Sequence, residues 1–140
     1  MDAELVRSIR LPGRVESVDT VGQELAEVWR DVPDVSSADR TRVETALVEV
    51  VGNVVEHALA GRGGSEVVVE LHVNAREILA EVADDGSALE VDPAGATMPA
   101  ADATGGRGLA LAVLVTDELH YRRDGETNRW RLRWQRGDLP

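Results

Sequence analysis

Glu49, Asn53 and His57 stand four residues apart in the stretch VEVVGNVVEHAL, 48–59. Residues four apart share one face of a helix, so a carboxylate, an amide and an imidazole line up. Carboxylate and amide oxygens suit a hard cation such as Mg²⁺, which keeps several waters and leans on phosphates. The row is not a zinc signature, because it lacks two histidines at i and i+4. The edge of an ordinary amphipathic helix would give the same row. Gly52 and Asn53 also weaken a helix interior, Gly by about 1 kcal/mol against Ala and Asn by somewhat less. Gly52 is expected to let a neighbour pack closely.

Two further stretches carry chemistry. Asp84-Asp85-Gly86 closes an apolar segment that runs to Ala83. A carboxylate at a strand end can accept a hydrogen bond from an exocyclic amine, and a following Gly lets backbone approach a flat ring. A simple turn reads the same way. Thr104-Gly105-Gly106-Arg107-Gly108-Leu109 precedes an apolar helical stretch. Glycines there expose backbone N–H groups at the positive end of a helix, which is an anion site, or they make a hinge. The P-loop spacing and its Lys are missing, and no strand feeds the glycines as the dinucleotide fingerprint requires. Taken together, a Mg²⁺-suited row, an amine acceptor and a phosphate loop could hold a purine nucleotide end to end.

The elements that must position these groups can be read from periodicity. Residues 6–13 read as a strand closed by Pro12-Gly13. Residues 15–31 read as a helix, with Val18, Val21, Leu25, Val28 and Trp29 at three- and four-residue steps. Ser36 or Ser37 is the expected N-cap of the next helix. That helix runs to about Ala60 and stops at Gly61-Arg62-Gly63-Gly64, with Val43, Leu47, Val50, Val54 and Ala58 on its apolar arc. Residues 66–74 and 77–84 alternate as strands around a turn at Asn74-Ala75. The run 85–106 is rich in Pro, Gly and small residues and has no periodicity, as expected of a functional or disordered loop. Residues 107–119 read as a helix. Residues 120–125 and 128–135 read as a hairpin, with Trp130, Leu132 and Trp134 on one face and Arg129, Arg131 and Arg133 on the other. The order β-α-α-β-β-loop-α-β-β predicts a two-layer α+β sandwich. Its mixed, mostly antiparallel sheet carries three helices on one face. One domain over 1–140 is expected.

Composition narrows the function classes. The chain has 140 residues, 43% of them hydrophobic, with no Phe, one Tyr and three Trp, so Val, Leu and Ala must build the core. It has no Cys, which excludes disulfides and thiolate metal sites. No signal-like segment opens the chain and no stretch reaches the roughly 20 apolar residues of a membrane span. A cytoplasmic protein without membrane contact is expected. The net charge of −11 argues against nonspecific nucleic-acid binding. All fifteen basic residues are Arg. From Leu119 to Pro140, six Arg stand against Asp124, Glu126 and Asp138, as a solvated edge or a local docking surface.

From about Val6 to Gln135 the sequence resembles the GHKL ATPase superfamily, whose members share the Bergerat ATP-binding fold. More narrowly it is similar to the standalone bacterial anti-sigma-factor serine/threonine kinases. The N-box is matched by Glu49, Asn53, His57 and Ala58, and the first glycine box by Asp84 and Gly86. The second is matched by Gly106, Gly108 and Leu109, followed by Thr116-Asp117-Glu118-Leu119. Two departures stand out: Gly86-Ser87-Ala88 lacks a second glycine, and Glu126-Thr127-Asn128 replaces a Gly-Thr pair, leaving Thr127 as candidate.

The resemblance implies residue roles. Glu49 would be the general base and Asn53 the Mg²⁺ ligand, with His57 supporting the site near the phosphates. Asp84 would bind the adenine amine, and Gly86 would let the ring approach. Residues 86–106 would form the ATP lid. Thr104, Gly105, Gly106, Arg107, Gly108 and Leu109 would wrap the phosphates with backbone N–H groups. The implied activity is phosphorylation of an anti-anti-sigma partner of the STAS type, with sequestration of a sigma factor, by a homodimer. The alternative is a nucleotide-binding regulatory module that transfers no phosphate.

Overall fold

Alternating side chains decide which face of each strand is buried. A computed structural model describes residues 4–59, 64–88 and 106–137, with backbone alone at 106–108. The strands are β1 (Leu5–Pro12), β2 (Glu66–Val73), β3 (Glu77–Asp84), β4 (Glu118–Asp124) and β5 (Thr127–Gln135). The helices are α1 (Ser17–Asp31), α2 (Ser37–Asn53) and α3 (Gly106–Leu114). Val67, Val69, Leu71 and Val73 of β2 are buried, as are Ile78, Ala80 and Val82 of β3 and Trp130, Leu132 and Trp134 of β5. Each valine, leucine or isoleucine so buried contributes roughly 1.5–3 kcal/mol.

The sheet order is β1-β2-β3-β5-β4, and every described pairing is antiparallel. The α+β sandwich is as expected, but the sheet is simpler than a mixed one. The β3–α3–β4 crossover would set two parallel strands side by side. β5 inserts between them and pairs with both, so no parallel contact forms.

The helices dock through the expected stripes. α1 buries Val21, Leu25, Val28 and Trp29, and α2 buries Val43, Ala46, Leu47, Val50 and Val51. α2 packs against both α1 and α3. Ser36 is the N-cap of α2, its Oγ accepting from the Asp39 N–H at 3.1 Å. Arg40 ties the preceding loop, donating to Val35 O and Pro33 O at 2.9 Å each. The Asn74 turn is closed by its own Oδ1, which accepts from the N–H groups of Arg76 and Glu77. No described helix is long and apolar enough to cross a membrane.

Two helix ends differ from the periodic reading. α3 stops at Leu114 and not at 119. The Trp134 indole N–H takes Val115 O at 2.9 Å, and Asp117 N–H donates to Arg133 O at 3.0 Å. Asp117 in turn accepts from Gln135 N–H and Arg42. Contacts distant in sequence thus draw this segment out of the helix, and β4 begins at Glu118. α2 leaves α geometry after Asn53, and Val54–Ala58 form a π-helical turn with Leu59 N–H bonded to Val54 O at 2.9 Å.

Leu47 is 1% exposed, so Leu47→Ala is expected to cost about 2–5 kcal/mol. Ser36→Ala, which removes one cap bond, is expected to cost about 1 kcal/mol. Urea unfolding of the two variants checks the order.

Candidate functional site

The helical row divides at the π turn. Glu49 and Asn53 are half-buried and lie on the regular part of α2. His57 lies in the π turn, where i to i+5 bonding replaces i to i+4. Its side chain is exposed, with Nε2 3.9 Å from a Glu56 carboxylate oxygen. π turns inside helices occur often at functional sites. The close neighbour expected at Gly52 is absent: among the described residues nothing lies within 4 Å of where its Cβ would stand.

The end of that turn meets the second stretch directly. A Cβ on Gly86 would stand 2.3 Å from Ala58 O and 2.5 Å from its carbonyl carbon. No side chain fits there without moving backbone. Beside the expected approach of a ring, the structure therefore gives Gly86 a further reason: it lets the Asp-Asp-Gly turn lie on the helix end. Ser87 N–H donates to Ala58 O at 2.9 Å, which fixes the contact.

Asp84 is the last residue of β3, faces inward and is 4% exposed. Its Oδ1 accepts from Gly86 N–H at 2.8 Å and from Asn128 Nδ2 at 2.9 Å. Its Oδ2 is buried and has no hydrogen-bond partner among the described residues. Burial pushes the carboxyl above its ordinary range, against the pull of the Asn128 and Gly86 donors; neighbouring Asp85 adds to the rise and Arg123 opposes it.

Asn128 was missed as a site residue. It is 2% exposed and stands opposite Asp84 in the β3–β5 register. Its Nδ2 also donates to Ser87 O at 2.8 Å. Its Oδ1 accepts from the Tyr121 hydroxyl at 2.5 Å and from Arg123 Nη1 at 3.0 Å. Arg123 Nη1 donates to Gly86 O as well, at 2.6 Å. The alternation of Trp130, Leu132 and Trp134, continued back by two residues, puts Asn128 on the inner face. Thr127, the candidate, falls on the outer face opposite Asp124. Trp130 lies against Tyr121 edge to face with centroids 4.9 Å apart, and its buried indole N–H also lacks a partner among the described residues.

The third stretch opens α3. Gly106 begins the helix, and Arg107 and Gly108 fall in its first turn. Leu109 is 3% exposed and belongs to the core, so only its backbone is available to a ligand. Thr104 and Gly105 lie outside the described residues, as does most of the expected lid over 86–106. Among the described residues no group of three or more His, Cys, Asp or Glu could hold a metal ion. A cation here would rest on Asn53 and on oxygens brought by a ligand.

A buried acceptor without a partner among the described residues, on a strand whose closing turn rests on the end of the helix that carries the half-buried Glu–Asn row, fits an amine-bearing ligand that reaches from β3 to α2. A family profile described as histidine kinase-like ATPase domain matches residues 11–134. No curated protein matches the sequence. The RsbU and RsbW domains of Rv1364c from Mycobacterium tuberculosis superpose with TM-score 0.68 at 20% identity, covering 94% of this chain and 32% of that one. The chain thus spans about a third of the length of that structure's chain. The histidine kinase AdeS of Acinetobacter baumannii gives TM-score 0.48 at 12% identity, covering 94% and 68%. The histidine kinase domain of the blue-light activated kinase EL346 of Erythrobacter litoralis gives 0.49 at 18%, covering 88% and 60%.

Asp84→Asn keeps an Oδ1 acceptor for both donors and replaces the orphaned oxygen with an amide. A carboxyl raised by folding favours the folded state at low pH, and that contribution is lost as pH rises through its folded pKa. The variant is therefore expected to equal or exceed the parent in stability near pH 7.5, with a gap that closes on acidification. Chemical unfolding of parent and variant near pH 7.5 and again at acid pH measures it.

Proposed function

The chain belongs to the histidine kinase-like ATPase domain family, and from that premise we propose that it is an ATP-dependent serine/threonine kinase acting as an anti-sigma factor. ATP binding goes with the family. The orphaned Oδ2 of Asp84 carries the assignment of the base site. A buried acceptor left unpaired costs about 1–3 kcal/mol, more when charged. The adenine amine is the donor that would satisfy it.

The remaining roles follow the two half-buried groups of α2. Asn53 would hold Mg²⁺, and Glu49, one turn earlier, would take the proton of an incoming serine or threonine hydroxyl. The backbone N–H groups that open α3 at Gly106, with Thr104 and Gly105 before them, would face the phosphates. His57 would act at their margin. Bound ATP with Mg²⁺ supplies the phosphoryl group and neutralises its charge. The hydroxyl belongs to an anti-anti-sigma partner of the STAS type, and the unphosphorylated state of that partner decides whether the chain holds a sigma factor. A cytoplasmic homodimer fits this role. The partner assignment rests on the motif resemblance, since 20% identity to the mycobacterial structure supports the fold alone.

Glu49→Ala is expected to lower transfer to a partner roughly 10²–10⁴-fold while leaving ADP affinity nearly unchanged. Calorimetry and a labelled-phosphate transfer assay measure the two. Transfer that survives the change removes Glu49 as the base. Nucleotide binding with no transfer to any cognate partner by the parent chain makes it a regulatory module.

A further inference from the structure

Four hydrogen bonds leave the Asn128 amide one orientation. Ser87 O can only accept, and it meets Nδ2 at 2.8 Å. Arg123 can only donate, and it meets Oδ1 at 3.0 Å. The amide therefore turns its N–H₂ toward Asp84, and a donor there requires an acceptor on Asp84 Oδ1. Gly86 N–H makes the same demand of the same oxygen. With Oδ1 satisfied twice as an acceptor, any proton on Asp84 could reside only on Oδ2; burial favours that proton, and the Asn128 and Gly86 donors, with the Arg123 cation nearby, oppose it.

We propose that Asn128 sets the base preference of the site, holding Asp84 so that its free oxygen accepts a hydrogen bond, and that Arg123 locks Asn128 in that role. The inference rests on the nucleotide reading of the Asp84 site. Its ligand class is a purine with an amine at position six. A carbonyl at that position would set acceptor against acceptor in a buried space, and buried sites built for one hydrogen-bond polarity reject the other strongly. Neither residue belongs to the motifs that carry the resemblance. Asn128 stands where a Gly-Thr pair is missing, and Arg123 comes from the arginine-rich tail. Both are positioning residues that act through Asp84.

The test is calorimetric affinity for ADP and for IDP, which carries a carbonyl in place of the amine, on the full chain with Mg²⁺. The parent is expected to favour ADP by at least about tenfold. Asn128→Leu fills the space without donors and is expected to bring the ratio close to one, because Asp84 can then take a proton and donate. Asn128→Thr keeps one hydroxyl donor for Asp84 and is expected to restore most of the preference. Arg123→Met, at an exposed position, removes the donor to Asn128 Oδ1 and is expected to give an intermediate ratio. A loss of stability alone would weaken both ligands equally and leave the ratio unmoved. A parent ratio near one, or a parental ratio kept by both Asn128→Leu and Arg123→Met, overturns the proposal and leaves nucleotide binding standing. A folded parent that binds neither nucleotide overturns the nucleotide reading itself, and this inference with it.

Discussion

The contact between Gly86 and Ala58 is the constraint on which the rest of the site depends. Two segments almost thirty residues apart meet backbone to backbone, with the missing Cβ as the condition for meeting. The hydrogen bond from Ser87 N–H to Ala58 O could not form at a greater separation. That carbonyl belongs to a π-wound turn, where the ordinary i to i+4 ladder is interrupted. A helix end of this kind leaves carbonyls for partners outside the helix. One turn therefore joins the Glu49–Asn53 row to the strand that ends in Asp84.

Around that joint the structure keeps a group that an apolar core would exclude. Asp84 is buried, receives two donors on one oxygen and leaves the other bare. Stability would be served by removing the charge. The surroundings instead add donors that favour ionisation: Gly86 N–H from its own turn, Asn128 from β5, and the Arg123 cation from β4. Three elements converge on one carboxylate, and none of them fills its free side. This is a local breach of the rule that buried polar atoms are paired, and such breaches collect where ligands bind.

Much of this was legible in the sequence, and the limits have physical causes. The alternation of β2 and β5 and the stripes of α1 and α2 follow from burial on one face, so the sheet, the helices and the Ser36 cap could be read directly. The π turn could not, because periodicity in 43–60 continues smoothly past Asn53 while the hydrogen bonding does not. Nor could the early end of α3, where Asp117 is held by Arg42 and Gln135 from distant elements. The sequence offers the approach of a ring as the reason for Gly86, and the structure adds a second one that no local pattern signals, the close contact with Ala58. Glu49, Asn53 and Asp84 stand out by type and spacing, and the structure leaves the first two half-buried on α2 and the third buried at the end of β3. Asn128 was hidden because its identity matters only through its partner across the sheet.

The register of β5 explains how one strand serves two environments. Gly125, at φ +63°, opens a two-residue hairpin loop between paired Asp124 and Thr127. From there Asn128, Trp130, Leu132 and Trp134 face the core, while Arg129, Arg131 and Arg133 face outward. A slip of one residue would exchange every pair. It would place Thr127 or Arg129 opposite Asp84 and drive arginines into an apolar layer, so the two tryptophans and the leucine make such a slip prohibitively costly. β4 alternates as far as Tyr121, which is half-buried, and Arg122 and Arg123 beyond it are exposed, yet the Arg123 guanidinium reaches back to Asn128 Oδ1 and Gly86 O. The arginine-rich tail is thus not one surface. Its outward members are solvated, and Arg123 is enlisted, through the register that the core imposes, into the hydrogen bonding of a buried carboxylate.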